Sequence, residues 1–369
     1  MDQADGAGSP PTIYDVAQRA GVSIATVSRV LNGHSYLRPE TRDRVLHAVR
    51  ELRFVPNDSA RGLSSRTKKI IGLVFVRHPA EQDLMQLEQE SLLFTDSVIR
   101  GAELAAHRCG YSLLLSGVGD GDTGPAVQAL TGRTDGLIIL DQVLPERRVA
   151  PLAKRFPVVL LAGSGRSRTA ATVRVDNVGG MKAVADHLIG GHGYRQLSFL
   201  SGIADSPDSA SRRTAFTGFA EAMGASCAQG DPWVADYTSS SAVRAVQRAL
   251  SSGQPLPDAI VCANDQMAIG TLQALLRAGV RVPDDVAVTG FDDLPVVRHL
   301  HPGLTTVHQP IQQLGSAAVE QLVALVEGGP DGNRDLVFPV ELMVRGSCGC
   351  PEPEPELSPL GIEPWRFEI

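Results

Sequence analysis

At 369 residues and 43% apolar, the chain is too long for one ordinary core and suits two or three domains. Its net charge of −7 is uneven, with +4 over residues 1–69 and −11 over the rest, which points to a polyanion-binding head on an acidic body. No run approaches the roughly 18 apolar residues of a membrane span, the first eleven residues lack a secretory pattern, and five scattered cysteines make no disulfide framework, so the expectation is a cytoplasmic protein without membrane contact.

Residues 1–11 read as a disordered tail. Helices are then expected at 13–20, 23–31 and 39–52. Ile13, Val16, Ala17 and Ala20 share one helical face; Thr12 is a good N-cap with Asp15 as its capping partner. Gly21 falls where a left-handed residue ends the first helix, and Ser23 can cap the second. On that second helix Val27, Val30 and Leu31 make the inward stripe, which leaves Ala25 and Arg29 opposite, flanked by Ser28 and Asn32. The small Ala17, the turn at Gly21 and the apolar Val27 let the helices cross closely, as a helix-turn-helix requires. Its second helix would be free to enter a major groove. An ordinary helical hairpin serving a dimer is the alternative that spacing alone leaves open.

The Pro-bounded stretch 55–69 leads into IIGLVFV (70–76), the first strongly β-like run. Strand-like segments YSLLLSG, DGLIIL, FPVVLLAG, ATVRVDN, QLSFLSG, AIVCAND and VAVTGFD follow, separated by helical stretches such as 94–109, 178–190, 212–224 and 266–279. Near-continuous apolar strands alternating with helices imply parallel sheets covered on both faces. About ten strand candidates suggest two doubly wound lobes. Polar residues in VDN (175–177), AND (263–265) and GFDD (290–293) come directly after apolar strands, where such lobes face a cleft, so the body reads as a small-molecule clamp.

Other motifs in the sequence lack the full residue set of the chemistry they suggest. GDGDTG (119–124) matches a dinucleotide-binding loop, with Asp141 near where a ribose-binding acid would sit, and would make an NAD-dependent enzyme; Asp120 and Asp122 would face the pyrophosphate, and the loop lies in the second βα unit. The CGC at 348–350 could be a redox or metal pair, but no further Cys/His pair at ligand spacing accompanies it, so a flexible tail is expected. His187 and His192, five apart around glycines, do not share a helix face. No nucleophile elbow, Ser/His/Asp set or P-loop is visible, so neither catalysis, metal nor cofactor is expected.

TIYDVAQRAGVSIATVSRVLNG, ETRDRVLHAVRELRFVPNDSARGL and IGLV, followed by VDNVGG, HLIGGHG, AND, VPDDVAVTGFDD and LTTVHQP, resemble the lactose-repressor/galactose-repressor (LacI/GalR) family in order and spacing over residues 12–347. The resemblance implies a helix-turn-helix head (12–56), a hinge helix and linker (57–69), a two-lobed α/β periplasmic-binding-protein-like core of two doubly wound parallel sheets for effector binding and dimerisation (70–347), and a C-terminal tail (348–369). It implies a homodimeric transcriptional repressor of double-stranded operator DNA, controlled by a sugar-like effector between the lobes. Ile24, Ala25 and Arg29 resemble the base-reading positions; Tyr14, Ser23, Thr26, Ser28, Asn32, Tyr36 and Thr41 resemble the phosphate-positioning set. Asn57, Ala60, Arg61 and Leu63 match a hinge that enters the minor groove, with Leu63 as the wedge. Phe94, Asp176, Arg212, Tyr237 and Asp292 match effector-binding positions. Two departures stand out: 77–94 is longer than the family's usual turn, with Leu93 in place of the first aromatic, and either Arg212 or Arg213 could be the clamp, spacing to Phe216 favouring Arg212. The Pro-rich end lacks a leucine heptad, so no tetramerising coiled coil is expected. A sugar-binding transport protein would share the clamp but not the head.

Overall fold

The computed structural model describes residues 11–31, 37–54, 67–76, 93–119, 123–140, 143–163, 167, 169–203, 206–253, 255–329 and 334–351. Asn32, Tyr36, the hinge positions Asn57, Ala60, Arg61 and Leu63, the stretch 77–92, Asp120, Asp122, Asp141 and the tail from 352 lie outside the described residues. The chain divides into two compact units, Met1–Lys68 and Lys69–Ile369.

The first unit holds α1 (Ile13–Ala20), α2 (Ile24–Leu31) and α3 (Pro39–Glu51). Thr12 and Asp15 form the expected reciprocal cap: the Asp15 carboxylate accepts the Thr12 N–H at 2.7 Å while the Thr12 hydroxyl oxygen accepts the Asp15 N–H at 3.4 Å. Gly21 closes α1 at φ 63°, and its N–H reaches the carbonyls of Ala17 and Gln18. One small core joins the helices: Val16, Val27 and Val45 are fully enclosed, with Ala17, Ala20, Val30 and Ala48 around them. Leu31 packs against this core only half-buried. A charge pair between Arg19 and Glu51 ties α1 to α3 at the surface.

In the second unit β1 (Ile70–Val76), α4 (Leu93–Arg108), β2 (Ser112–Val118), α5 (Thr123–Thr131), β3 (Gly136–Leu140), α6 (Glu146–Ala153), β4 (Val158–Leu161) and β5 (Ala171–Val175) build the first lobe. α7 (Asn177–Ala185) leads into the second, with β6 (Gln196–Leu200), α8 (Pro207–Ala222), β7 (Ser226–Ala228), α9 (Ser239–Ser251), β8 (Ala259–Cys262), α10 (Asp265–Arg277) and β9 (Ala287–Thr289). The chain then returns through β10 (Thr306–His308), α11 (Ile311–Val326), β11 (Asp335–Phe338) and β12 (Glu341–Met343). The sheet orders are β11-β5-β4-β3-β1-β2 and β7-β6-β8-β9, all parallel, while β10 and β12 form an antiparallel ribbon.

Both lobes are therefore doubly wound, as the alternating apolar strands imply. Consecutive buried positions such as Leu137, Ile138 and Ile139 fit strands with helices on both faces. In each lobe the strand order reverses beside the first strand, between β1 and β3 and between β6 and β8, where open α/β sheets leave a crevice beyond their carboxyl ends. α4 and α11 cross at glycines: a Cβ on Gly101 would strike the Gln312 carbonyl, and one on Gly315 the Val98 carbonyl. Two segments differ from the sequence expectation. α8 begins at Pro207 rather than near 212, because Ser206 caps it and accepts the Ser209 N–H. The helix expected over 178–190 is α only to Ala185 and widens into a π turn over Asp186–Gly191.

Candidate DNA interface and effector cleft

α2 separates two faces. Val27 and Val30 are buried in the head core, whereas Ile24, Ala25 and Arg29 are exposed together on the other side. Ser23 begins the helix, its hydroxyl oxygen accepting the Thr26 N–H at 3.2 Å and lying 2.9 Å from the Thr26 hydroxyl. Tyr14 projects from α1 at 68% exposure, a large aromatic that the core does not use. Ser28 and Thr41 are half-buried at the edges of the helices. The exposed face can meet a thymine methyl through Ile24 or Ala25 and make paired hydrogen bonds to guanine through Arg29, while hydroxyls at helix starts suit phosphate oxygens.

The second unit carries a cleft at the switch points. Val76, Leu140 and Ala162 reach it from the ends of β1, β3 and β4, and Ile203 from the end of β6. Phe94 and Thr95, in the first turn of α4, close one side; Asp208, Arg212, Tyr237, Asn264, Asp292 and Gln309 supply most of the polar lining. Of the two candidate arginines, Arg212 faces inward and is 4% exposed, because it lies one helical turn before the buried Phe216. Arg213 is half-buried and not part of the lining.

Arg212 is held from several directions. Its Nε donates to Asn177 Oδ1 at 2.8 Å, its Nη1 to the Ala263 carbonyl at 2.7 Å, and its guanidinium lies 3.6 Å above the Phe291 ring centroid. Asn177 in turn donates to Asp208 Oδ1 at 2.6 Å, and Gln309 donates to Asp292 Oδ1. Burial pushes the Asp292 carboxyl well above its usual range, and burial also raises Asp208; Arg212 opposes both shifts. Tyr237 lies 2.6 Å from the Ser206 hydroxyl, and burial pushes its phenol up to about 12. Tyr237 at φ 73° and Asp292 at φ 130° sit in left-handed backbone that side chains rarely adopt, as at other ligand clamps. Gly202 admits the Tyr237 ring, which any Cβ there would strike.

The description "Bacterial regulatory proteins, lacI family" matches residues 12–57, and "Periplasmic binding protein-like domain" matches residues 185–348. The HTH-type transcriptional regulator AscG of Escherichia coli (strain K12) is 31% identical, over 92% of this chain and 99% of the relative. The HTH-type transcriptional repressor PurR of Vibrio vulnificus is 30% identical, over 90% of this chain and 97% of its own. Among solved structures, the lac repressor dimer bound to operator and the anti-inducer ONPF superposes with a TM-score of 0.79 at 28% identity, covering 92% of this chain and 99% of that one. The regulator CelR in complex with cellobiose gives 0.65 at 30% identity, over 91% and 99% of the two chains.

This chain belongs to the lacI family. It is a DNA-binding transcriptional regulator, with a helix-turn-helix and a two-lobed ligand-binding core. No described helix of this lacI-family regulator is long and apolar enough to cross a membrane.

The cleft brings together Phe94, Arg212, Tyr237 and Asp292. Asp176 is not among its lining residues; it is exposed and caps α7, accepting the Gly179 N–H at 2.9 Å. Sequence reasoning passed over Asp208, although it precedes Arg212 by four residues, a spacing that places both on one helix face. Gln309 had no comparable local signal; it reaches Asp292 only through the fold.

Three further expectations are corrected. Residues 348–350 do not form a flexible tail: Cys348 is fully buried, and it follows Ser347, which is bonded to the second sheet. His187 and His192 do share a face, because the π turn replaces the α-helical spacing that would separate them. The four side chains His187, His192, Cys348 and Cys350 converge, which overturns the expectation that CGC has no Cys/His partners.

Proposed function

We propose that this lacI-family regulator is a cytoplasmic, ligand-controlled repressor. It acts as a homodimer whose paired α2 helices meet two half-sites of a near-palindromic operator, with Ile24, Ala25 and Arg29 at the bases and Tyr14, Ser23, Thr26, Ser28 and Thr41 toward phosphates. Residues 12–56 serve as the reading head, 57–69 as the connection and 70–347 as the effector-binding and dimerising core. The core works as a binding switch and carries no catalytic step.

The cleft takes a sugar or related polyhydroxylated ligand. The observation that supports this class is the buried Arg212 flanked by Asp208 and Asp292, with Asn264 and Gln309 beside them and the Phe94 and Tyr237 rings on the wall. Ring hydroxyls both donate and accept, so they match a set that offers carboxylates, amides and a guanidinium at once; the apolar face of the ring matches the aromatics. Both lobes contribute lining, so a ligand between them can favour one lobe arrangement over another. It controls operator affinity only to the extent that it binds those arrangements unequally. The complex of CelR with cellobiose is consistent with this class of ligand.

Selection of bound sequences from a random DNA pool, with and without a panel of mono- and disaccharides and nucleosides, tests the proposal. The expected result is an enriched palindrome whose recovery changes with one class of polyhydroxylated compound. Absence of any enriched palindrome rules out the operator part, and an enriched palindrome indifferent to the whole panel rules out the ligand class.

A further inference from the structure

We propose that His187, His192, Cys348 and Cys350 form a closed tetrahedral site for a structural zinc ion. In an α-helix, at about 100° per residue, positions five apart lie about 140° from one another around the axis. After Ala185 the helix widens into the π turn Asp186–Gly191, and the His192 N–H donates to the His187 carbonyl at 3.1 Å, the five-residue spacing of a π turn. That turn sets the two imidazoles side by side with Nε2 atoms 3.3 Å apart.

The two thiols arrive from the far end of the chain. Ser347 fixes their segment independently of the cluster: its N–H donates to the Gly303 carbonyl at 3.0 Å and its hydroxyl to the Val288 carbonyl at 2.7 Å. A short 3-10 turn ends at Cys348, and Gly349 at φ 98° bends the backbone so that Cys350 comes back toward the same point. Tyr194 braces both halves, stacking on His192 with ring centroids 5.2 Å apart and donating its hydroxyl to the Cys348 carbonyl at 3.0 Å.

Four of the six separations fit one ion at the centre, and the other two are no longer than 4.8 Å. His187 Nε2 lies 3.2 Å from Cys348 Sγ and 3.8 Å from Cys350 Sγ, His192 Nε2 lies 3.4 Å from Cys350 Sγ, and all four ligand atoms fall within 4.8 Å of one another. Zn–N bonds of about 2.0–2.1 Å and Zn–S bonds of about 2.3 Å give tetrahedral edges of about 3.3 Å between nitrogens and about 3.6 Å between nitrogen and sulfur. Two thiolates and two imidazoles are the donor set of structural zinc, and four protein ligands leave no position open for water or substrate. None of the four residues lines the effector cleft. The ion ties residues 346–350 to the turn that leads into β6, so its role is to fasten the second lobe.

The test uses the full-length chain, purified with a thiol reductant and no chelator. Elemental analysis is expected to find one zinc per chain, and replacement by Co2+ to give the visible bands of a tetrahedral ion together with a thiolate-to-cobalt charge-transfer band. Cys348→Ser combined with Cys350→Ser is expected to lose the metal and both spectral features while keeping Cys109, Cys227 and Cys262 as internal controls. His192→Cys, which still provides a zinc-binding donor set, is expected to retain the ion with a stronger charge-transfer band. Zinc well below one per chain, a cobalt spectrum without the thiolate band, unchanged metal content in the double variant, or a Cys348–Cys350 disulfide that persists in the reductant would overturn the proposal. If the double variant does not fold, the cobalt spectrum of the unaltered chain decides.

Discussion

Arg212 Nη1 stands 3.9 Å from Asp292 Oδ1, with the two side chains only 5% and 3% exposed. Taking both charges out of water is costly. The cost is offset by the Asn177 and Ala263 acceptors and the Phe291 ring on the arginine side, and by Gln309 on the aspartate side. The second unit therefore holds a buried guanidinium and carboxylates that are already hydrogen-bonded at the wall of the cleft.

Arg212→Ala is expected to lower stability by about 3–5 kcal/mol, because it leaves Asp208 and Asp292 buried without the cation that favours their ionised forms. Arg212→Lys keeps the charge but cannot reproduce the forked contacts to Asn177 and Ala263, and should fall between the two. Urea titration checks this order. An unchanged midpoint in Arg212→Ala would show that the arginine carries no such share.

Asp265 gives a pH dependence of defined sign. Burial, partly offset by hydrogen bonds from the Thr306 hydroxyl and the Leu294 N–H, pushes its carboxyl from 3.8 up to about 6. Between those values the folded chain holds a proton that the unfolded chain has released. The contribution to stability is thus complete below the unfolded value and declines as pH rises through the folded one, by up to about 3 kcal/mol. Asp265→Asn can donate to the Thr306 oxygen and still accept from Leu294, so it should remove this slope. Chemical denaturation at intervals from pH 4 to 7 is expected to show the variant gaining on the unaltered chain; parallel curves would contradict the burial of an ionisable proton.

The α4–α11 crossing predicts a contrast between two glycines. Gly101→Ala places a methyl group against the Gln312 carbonyl of α11 and should destabilise by about 1–3 kcal/mol through overpacking. Gly218→Ala, on the exposed face of α8 with nothing within 4 Å of the new Cβ, should be neutral or stabilising by up to about 1 kcal/mol. Thermal unfolding of both variants separates helix propensity from the fit between helices, and equal shifts would remove that distinction.

Arg29→Ala is expected to weaken binding to the selected operator by about 1–3 kcal/mol and to relax preference at one base pair of each half-site. Tyr14→Phe should lower affinity across sequences without changing the preferred base. Competition binding with single-base operator variants distinguishes the two effects; a uniform loss in Arg29→Ala would move that residue to the phosphate-contacting group.

Much of the architecture was legible because its causes are local. The capping pair Thr12 and Asp15, the left-handed Gly21 and the stripe through Val27 and Val30 define the head helices within a few residues of sequence. The apolar runs of β1, β3 and β8 likewise announce strands covered on both faces. In the cleft, Arg212 and Asp292 could be named from the family resemblance, and both line it. The same resemblance put Asp176 among the effector-binding positions, yet it does not line the cleft: a polar residue after an apolar strand can face the cleft or cap the next helix, and here the Gly179 N–H takes it.

By itself, then, the sequence determined the helix-turn-helix, the two parallel lobes and the separation of buried from exposed residues on α2, since each follows from hydrophobic period and capping over short spans. Only the tertiary structure decided which polar groups meet. Gln309 reaches Asp292 across seventeen residues of chain, and the thiols of Cys348 and Cys350 meet His187 and His192 across about 160. The first step toward that last meeting was a π turn, which an α-helical period cannot anticipate. Period describes how neighbours along the chain are oriented, whereas contacts between distant segments depend on how β6, β9 and the returning C-terminal strand pack. In that packing five-residue spacing and a two-cysteine motif became four converging ligands.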